Sequence, residues 1–282
     1  MGNAVDSIES SASIDPSARI DSTARIGADV QIGPDVIVGP HCVIGDRCVL
    51  RARSIIWAHT TMGVENDVHP YAVLGGDPQD KAYDPDVPGR LIIGDANIFR
   101  EGVTVNRSTG DERPTTVGSG CFLMSQSHLG HNVTIGDEVI LANGASVAGH
   151  ARIGSGTVMS AFCVIHQFTH IGEMVMFRGL SAVGMHVPPY VIIAGGNNVA
   201  GINVVGLRRR GFTQQERDEI KTLFRMFYRD RGTAPIPEVY ETVRTQTWTD
   251  KALRFINFIG DSLTQQPPRN RGICGSGRDP HT

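Results

Sequence analysis

Four histidines stand close together near the middle of the chain, and their chemistry suggests a site. They are His128, His131, His150 and His166. An imidazole ring titrates near neutral pH, so it can take a proton from a hydroxyl group as a general base, and it is also a common ligand of zinc. A single histidine is most often an ordinary surface residue. Four in one region indicate either a catalytic base with its neighbours or a metal site.

Apolar residues recur at every sixth position through most of the chain. The series covers residues 14–74, 93–105 and 117–183 without a polar member. It breaks near residues 76–92 and 106–116, which we expect to be loop insertions. A period of six fits neither an α-helix nor a simple hairpin. It fits short strands separated by tight corners, with one apolar residue per strand facing inward and the glycine that often follows it easing the bend.

This pattern resembles the hexapeptide-repeat family of transferases. The resemblance implies an all-β fold, a left-handed parallel β-helix with three hexads per turn, over residues 12–190. Residues one full turn apart then stack about 4.8 Å from each other along the axis. Because Leu129, Val147 and Ile165 follow one another at intervals of one such turn, we expect the four histidines along one edge of the coil, on three successive levels.

A different pattern follows Pro188-Pro189 and predicts a C-terminal linker and α-helical domain over residues 191–264. Thr213 and Glu216 have the spacing of a capping box at the start of a helix. Behind them, apolar residues recur at helical spacing, namely Ile220, Leu223, Phe224 and Phe227. Two more helices are expected near residues 237–245 and 250–263. Residues 265–282 are polar and rich in Pro, Gly and Arg, so we expect a disordered tail.

Composition argues against several classes of partner. The net charge of −3 gives no general attraction to nucleic acid or to an anionic membrane. No stretch reaches the roughly 20 apolar residues of an integral membrane helix, and the polar N-terminus has no signal-peptide pattern. The five cysteines form no CxxC pair, which is typical of thiols in a reducing compartment. We therefore expect a cytoplasmic protein.

Longer motifs carry a closer resemblance. In chain order they are Pro78-Gln79-Asp80, His128-Leu129-Gly130-His131, Ala148-Gly149-His150, Ile165-His166-Gln167-Phe168, Val187-Pro188-Pro189-Tyr190 and Gly206-Leu207-Arg208-Arg209-Arg210-Gly211-Phe212. Together they resemble the motifs of the UDP-N-acetylglucosamine O-acyltransferase family. The resemblance implies transfer of a (3-hydroxy)acyl group from acyl carrier protein to the 3-hydroxyl of UDP-N-acetylglucosamine, a UDP-amino-sugar, in the first step of lipid A biosynthesis. It also implies a homotrimer that needs no metal or other cofactor.

The same resemblance implies roles for individual residues. His131 is the general base, and the backbone N–H of Gly149 faces the developing oxyanion. Position 149 is one predicted turn beyond position 131, so the two residues should stack. Sugar, diphosphate, pantetheine or carrier protein would be bound by Gln79, Asp80, His128, His150, His166, Gln167, Asn203, Arg209 and Arg210. Met176 and Gly179 would line the groove for the acyl chain, and the small Gly179 indicates a longer chain.

Three departures from the family pattern bear on the substrate. Asn132 stands where the family has Asp after the catalytic histidine, so we expect a weaker base. In residues 78–83 the lysine comes one place early, as Lys81 followed by Ala82. Val205 replaces an acidic residue that is expected to contact the sugar. These changes leave open a different UDP-sugar, or a 3-amino-sugar that would be acylated on nitrogen.

Two other classes of protein remain as alternatives. A γ-type carbonic anhydrase of the hexapeptide family would hold zinc with three histidines. Here the close pair, His128 and His131, has a spacing of three instead of five, and no third ligand is obvious. A β-helix scaffold without catalytic activity is the other alternative, and the intact column of histidines argues against it.

Overall fold

The computed structural model describes residues 8–110 and 112–276, which belong to two compact units, one up to His150 and one from Ala151. In each unit the strands are two to four residues long. Nearly all of them pair in parallel with a strand one turn away along the chain. The strands of each unit therefore form a parallel β-solenoid, as the period of six predicts.

The described part of the first unit contains twenty strands. They are β1 (Ser13–Ile14), β2 (Arg19–Ile20), β3 (Arg25–Ile26), β4 (Gln31–Ile32), β5 (Ile37–Val38), β6 (Val43–Ile44), β7 (Val49–Leu50), β8 (Ile55–Ile56), β9 (Thr60–Met62), β10 (Asp67–Val68), β11 (Val73–Gly76), β12 (Leu91–Ile93), β13 (Ile98–Phe99), β14 (Thr104–Asn106), β15 (Thr115–Val117), β16 (Phe122–Leu123), β17 (His128–Leu129), β18 (Thr134–Ile135), β19 (Ile140–Leu141) and β20 (Ser146–Val147). Every third strand lies in the same sheet, so the unit has three sheets.

The register of these sheets accommodates both insertions. Leu50 pairs with Val68, which follows it by three hexads. Leu74 pairs with Val105 across the first insertion, and Val105 pairs with Leu129 across the second. The chain therefore leaves the coil after Gly76 and after Asn106 and rejoins it at Leu91 and Thr115. The inward residues stay paired, and the register of β11 against β14 shifts only after Leu74. Both insertions lie where the broken period predicts them.

The core of the first unit consists of the apolar series. From Ile26 onward every member of the series is buried, while Ile14 and Ile20 at the start are half-buried. The other residue of each two-residue strand points outward and is exposed or half-buried. Alternation along so short a strand sends one side chain inward and the next outward, so the outward positions are available for function.

Most glycines after the inward residues have a different role from the one predicted, and Gly75 (φ 81°) is the exception. The bend is made further along each corner, where non-glycine residues such as Asn132 (φ 59°) and His150 (φ 61°) adopt the left-handed conformation. Gly33 and Gly39 do not have positive φ angles. A Cβ atom on them would stand 3.1 Å from the backbone nitrogen of Ala52 and 2.9 Å from that of Ala58. Glycine is thus needed at these positions because successive turns of backbone approach closely.

The described part of the second unit contains eight strands and four helices. They are β21 (Arg152–Ile153), β22 (Val158–Met159), β23 (Val164–Ile165), β24 (His170–Ile171), β25 (Met176–Phe177), β26 (Ala182–Val183), β27 (Val191–Ile193), β28 (Val199–Ile202), α1 (Val204–Arg209), α2 (Gln214–Tyr228), α3 (Ile236–Val243) and α4 (Asp250–Thr264). β28 runs antiparallel to β27, so the strands continue to Ile202 and not only to the predicted residue 190. Among the described residues, no helix has the length and apolar character needed to cross a bilayer.

The helices largely follow the sequence predictions. Thr213 and Glu216 form both hydrogen bonds of the capping box at the start of α2. The four apolar residues predicted for its inner face, Ile220, Leu223, Phe224 and Phe227, are buried. α3 and α4 lie close to their predicted bounds. The short helix α1 has no apolar period of its own, and sequence analysis missed it.

The expectation of a disordered tail is wrong for residues 265–276. Ile273 and Cys274 are buried, and the backbone N–H of His186 donates to the carbonyl oxygen of Gly272 at 2.7 Å. Polar composition is a poor guide here, because an exposed backbone edge nearby can pair with a short segment whatever its side chains. Residues 277–282 lie outside the described residues.

Candidate active site

His131 lies at the corner that follows β17, with only 9% of its surface exposed. Its Nδ1 atom is 2.9 Å from the side-chain oxygen of Asn132. Its ring forms a T-shaped pair with the His150 ring, with ring centroids 5.0 Å apart and planes at 88°. The hydrogen bond and the ring contact hold the His131 ring in one orientation, which a general base requires.

The partners of Asn132 determine which nitrogen of His131 carries the proton. The Asn132 oxygen accepts from the backbone N–H of Thr109 at 3.2 Å, and its amide nitrogen donates to the carbonyl of Arg113 at 2.9 Å. A backbone N–H only donates and a carbonyl only accepts, so the amide cannot be flipped. The His131 Nδ1 must then donate to the Asn132 oxygen. In the neutral ring Nε2 is consequently unprotonated and can act as a base.

Gly149 stacks over this basic nitrogen. Leu129 pairs with Val147 in the sheet, and the backbone N–H of His150 donates to the carbonyl of His131 at 3.0 Å. A Cβ atom on residue 149 would lie 2.7 Å from Nε2 of His131. The predicted stacking is therefore confirmed, and only glycine at this position leaves the face of the imidazole open.

His128 points outward from β17 and is half-buried. Its Nδ1 lies 2.8 Å from the hydroxyl of Thr104, which stands opposite it in the sheet. Burial lowers the pKa of His128, because the charged ring is disfavoured away from water. In the first unit the rings of His131 and His150 are thus in contact, and His128 stands on the strand that leads into His131.

Gln79 and Asp80 lie on the loop at residues 77–90 and are exposed. The loop brings a carboxylate oxygen of Asp80 to 4.0 Å from Nε2 of His131. The other Asp80 oxygen accepts from the backbone N–H of Ala82 at 2.9 Å. Lys81 and Ala82, at the place where the chain departs from the family motif, are both exposed. The loop thus adds a negative charge close to the basic nitrogen.

Arg107 anchors this loop, and sequence analysis missed it. Its side chain is only 14% exposed and contacts Asp77 at 2.5 Å. It also donates to the carbonyl of Gly75 at 3.2 Å and to the hydroxyl of Tyr83 at 3.0 Å. Asn106, the residue before it, donates to the carbonyl of Asp77 at 2.7 Å. The only available signal was two polar residues at the end of a strand, which is too common to single out.

The other predicted site residues belong to the second unit. His166 and Gln167 follow β23 and are exposed. Asn203 has its side chain engaged in the fold, since it caps α1 at Gly206 (3.0 Å) and donates to the carbonyl of Met174 at 2.9 Å. Arg209 and Arg210 are exposed at the end of α1, as is Val205 at its start.

Met176 and Gly179 stand on the outer surface of the second unit, at β25 and the corner after it. Gly179 has no positive φ angle. The nearest atom to a Cβ placed on it would be the carbonyl oxygen of Ala161 at 3.7 Å. The backbone therefore does not require glycine at this position, unlike at Gly149.

The described residues offer no assembled metal centre. Within residues 8–110 and 112–276, no group of three or more His, Cys, Asp or Glu side chains is arranged to hold a metal ion. The group around His131 consists of a hydrogen-bonded base, a glycine and an aspartate, which is suited to proton transfer.

Known proteins resemble this chain in both its repeats and its C-terminal region. A family model described as UDP-N-acetylglucosamine O-acyltransferase, domain 2, matches residues 186–274. A model of bacterial transferase hexapeptide repeats matches residues 23–58 and 114–149. The acyl-[acyl-carrier-protein]–UDP-N-acetylglucosamine O-acyltransferase of Gloeothece citriformis is 37% identical over 207 residues, which are 73% of this chain and 72% of that protein. The chain belongs to the UDP-N-acetylglucosamine O-acyltransferase family.

Solved structures of this family have the same fold. The UDP-N-acetylglucosamine acyltransferase of Bacteroides fragilis superposes with a TM-score of 0.84 at 32% identity, covering 92% of this chain and 99% of that one. The enzyme of Francisella novicida gives a TM-score of 0.81 at 31% identity, covering 96% and 94%. A second curated relative, from Burkholderia lata, is 41% identical over 171 residues, or 60% of this chain and 65% of that protein.

Proposed function

We propose that this protein transfers a (3-hydroxy)acyl group from acyl carrier protein to the 3-hydroxyl of UDP-N-acetylglucosamine, as the first step of lipid A biosynthesis. The observation that carries this proposal is His131, whose Nδ1 is committed to Asn132 while Nε2 lies beneath Gly149. The names of the relatives supply the donor and the acceptor. The sequence motifs supply the same assignment independently of the overall fold.

The reaction follows from this geometry. Nε2 of His131 removes the proton from the sugar hydroxyl as its oxygen attacks the thioester carbonyl. The negative charge that develops on the carbonyl oxygen faces the backbone N–H of Gly149, which acts as an oxyanion donor. The C–S bond then breaks, and the imidazolium returns its proton to the thiolate that leaves. Asp80, 4.0 Å from Nε2, stabilises the imidazolium in between. The chain's own residues supply the base and the oxyanion donor, so no metal or other cofactor enters these steps.

The remaining contacts and the assembly belong to the same proposal. Gln79, Asp80, His128, His150, His166, Gln167 and Asn203 contact the acceptor or the pantetheine arm, and Arg209 and Arg210 contact phosphate or the acidic carrier protein. The coil is left-handed, and three copies form a trimer whose neighbouring surfaces hold the acyl chain. The five buried, unpaired cysteines are in keeping with a reducing cytoplasm.

A transfer assay tests the reaction and the base together. Purified protein would be given labelled UDP-N-acetylglucosamine and a panel of 3-hydroxyacyl carrier proteins. We expect product with the wild type, and a loss of about 10²–10⁴-fold in His131→Ala, the usual contribution of a general base. The control is His41→Ala, an exposed histidine on another corner, which should retain activity. Equal activity in both variants would contradict the assignment of His131.

A 3-amino-sugar nucleotide is the second candidate acceptor, and one observation favours it. The partner of His131 is the neutral Asn132, which cannot stabilise an imidazolium by charge. An uncharged amine attacks a thioester without prior deprotonation and so makes less demand on the base. Including the 3-amino acceptor in the same assay decides between the two, by comparison of kcat/KM.

Gly179 is proposed to keep the end of the acyl groove open. Glycine is not required there by its backbone conformation or by a close neighbour, so space outside the coil is the remaining reason for it. In Gly179→Met, we expect the preference of the enzyme to move toward donors shorter by several carbons, with the folded state preserved. Competition between donors of different length measures this. An unchanged preference would show that residue 179 does not limit the groove.

A further inference from the structure

Residues 269–276 form a C-terminal strap that pairs edge to edge with the strands of the second unit. His186 donates its backbone N–H to Gly272 at 2.7 Å and accepts from the N–H of Cys274 at 2.8 Å. Val199 donates to Gly275 at 2.8 Å. Ile273 and Cys274 are buried. The strap is therefore fixed by backbone hydrogen bonds on both sides of Ile273 and Cys274.

Arg271 is the strap's contact with His166. Its Nε donates to the carbonyl of Gly184 at 2.9 Å, and its Nη2 lies 3.2 Å from Nδ1 of His166. Gly272 follows with φ +71°, a conformation that favours glycine and turns the strap inward directly after Arg271. Within the described residues no carboxylate pairs with Arg271. A permanent positive charge, with no acidic partner there, thus stands beside a histidine of the proposed acceptor site.

The contact determines the form of the His166 ring. A guanidinium group only donates, so Nδ1 of His166 must be unprotonated to accept from Arg271. The carbonyl oxygen of Gln167 is also 3.2 Å from Nδ1 and would require the opposite form. A hydrogen bond from a charged donor is about twice as strong as one between neutral groups, so the contact with Arg271 prevails. The ring proton is then on Nε2, where it is available to donate to a substrate oxygen.

We propose that Arg271 is a positioning residue for acyl transfer, which holds His166 as an Nε2–H donor and adds a positive charge next to the bound substrate. This inference rests on the proposed function of the site, in which His166 contacts the acceptor or the pantetheine arm. Both of these substrate parts are phosphate esters, which a guanidinium favours. The strap is thus part of the site and not only an extension of the helical region.

Steady-state kinetics of Arg271→Ala, with each substrate varied in turn, test the inference. We expect kcat/KM to fall about 10-fold or more, the usual effect of a lost charge-assisted hydrogen bond, with a rise in KM for one substrate. The substrate concerned shows whether the sugar nucleotide or the carrier protein is contacted. Added guanidinium ion should restore part of the activity, and Arg271→Lys should lie between the two. Arg244→Ala, an exposed arginine of the helical region paired with Glu241, is the charge-matched control.

The form of the His166 ring gives a readout that does not depend on turnover. Nitrogen-15 NMR of the wild type should show an unprotonated Nδ1, and in Arg271→Ala the Nδ1 proton should appear as Gln167 takes over. A protonated Nδ1 in the wild type, or kinetics in Arg271→Ala equal to those of Arg244→Ala, would overturn the inference. A wild type without transfer activity would overturn the proposed function instead, and the NMR result would still decide the contact.

Discussion

At the scale of single residues, one ring nitrogen of His131 contacts a neutral side chain and the other faces a charged one. Nδ1 donates to Asn132 at 2.9 Å, while Nε2 faces Asp80 at 4.0 Å. In a His–Asp arrangement the carboxylate stabilises the imidazolium from the Nδ1 side. Here the carboxylate lies on the Nε2 side and is carried by the loop at residues 77–90.

Asn132→Asp should strengthen the base and weaken the fold around it. A carboxylate next to Nδ1 favours the imidazolium, and we expect kcat at pH 7 to rise on the order of tenfold, the equivalent of about one pKa unit. The amide hydrogen bond to the Arg113 carbonyl at 2.9 Å is lost, so the melting temperature should fall.

Asn132→Ala is the control for this change, because it removes the acceptor for Nδ1 and should lower kcat. If the rates of the Asp and Ala variants both equal that of the wild type, Asn132 does not orient the base. Initial rates and thermal melts of the same preparations give both readouts.

Gly149→Ala should abolish transfer with little loss of stability. The new methyl group would stand 2.7 Å from Nε2 of His131 and would push the ring away from the reacting hydroxyl. Displacing a reacting group by about 1 Å can cost on the order of 10²-fold in rate. Gly201→Ala is the control, because a Cβ there meets nothing within 4 Å. Retained activity in Gly149→Ala would exclude a close approach of substrate at this point.

At the scale of elements, the corners of the coil carry the site and the loops complete it. The two-residue strands leave room for only one outward side chain each, such as His128 of β17. The base stands on a corner and Asp80 on the loop at residues 77–90. Arg107 anchors that loop through Asp77, Gly75 and Tyr83, so we expect it to support the proposed transfer reaction.

Arg107→Ala should release the loop while the coil stays intact. We expect faster amide hydrogen exchange confined to residues 77–90, and a fall in kcat/KM of about tenfold as Asp80 loses its place. Tyr83→Phe removes only the hydrogen bond at 3.0 Å and should have a smaller effect of the same kind. Exchange that is unchanged in the loop, or raised throughout the coil, would contradict this role.

Sequence alone predicts the features that follow from the repeat, and it misses residues whose partners lie far away in the chain. The period of six gives the inward residues and the stacking of Gly149 on His131, because each turn copies the last. The capping box at Thr213 gives the start of α2. Arg107 and Arg271 act through contacts with loops and with a strap whose positions no local pattern encodes. The ordering of residues 265–276 was missed for the same reason, since its backbone partners lie far earlier in the chain, as at His186.

At the scale of the whole molecule, one half-buried histidine links stability to pH. His170 packs against Phe258 of α4, with ring centroids 4.6 Å apart. Burial, with smaller contributions from His186, Arg152 and Arg269, lowers the pKa of His170 to about 4 from 6.5. The neighbouring His186 accepts from the backbone N–H of His170 at 3.0 Å, and burial lowers its pKa as well.

The protein should therefore lose stability as the pH falls from 7 to 5. In this interval the unfolded chain binds a proton at His170 and the folded chain does not, so acid favours unfolding. We expect His170 alone to lower the free energy of unfolding by about 2 kcal/mol at pH 5. Urea denaturation at the two pH values measures it. His170→Gln should reduce the difference by that amount, and an equal difference in the variant would show that other groups are responsible.

Because the inward residues pair across both insertions, the fold and the substrate specificity of this chain can change separately in evolution. The inward residues of strands that enclose an insertion pair as they do across an uninterrupted turn. The register shifts only after Leu74, at the edge of the first loop, so the sheet tolerates corner loops of different length. Homologues that evolve from such a chain can lengthen, shorten or exchange the loop that bears Asp80 while the coil still folds. We then expect new acceptor preferences in this family to arise first from changes in the loop sequences, while the structure of the coil is retained.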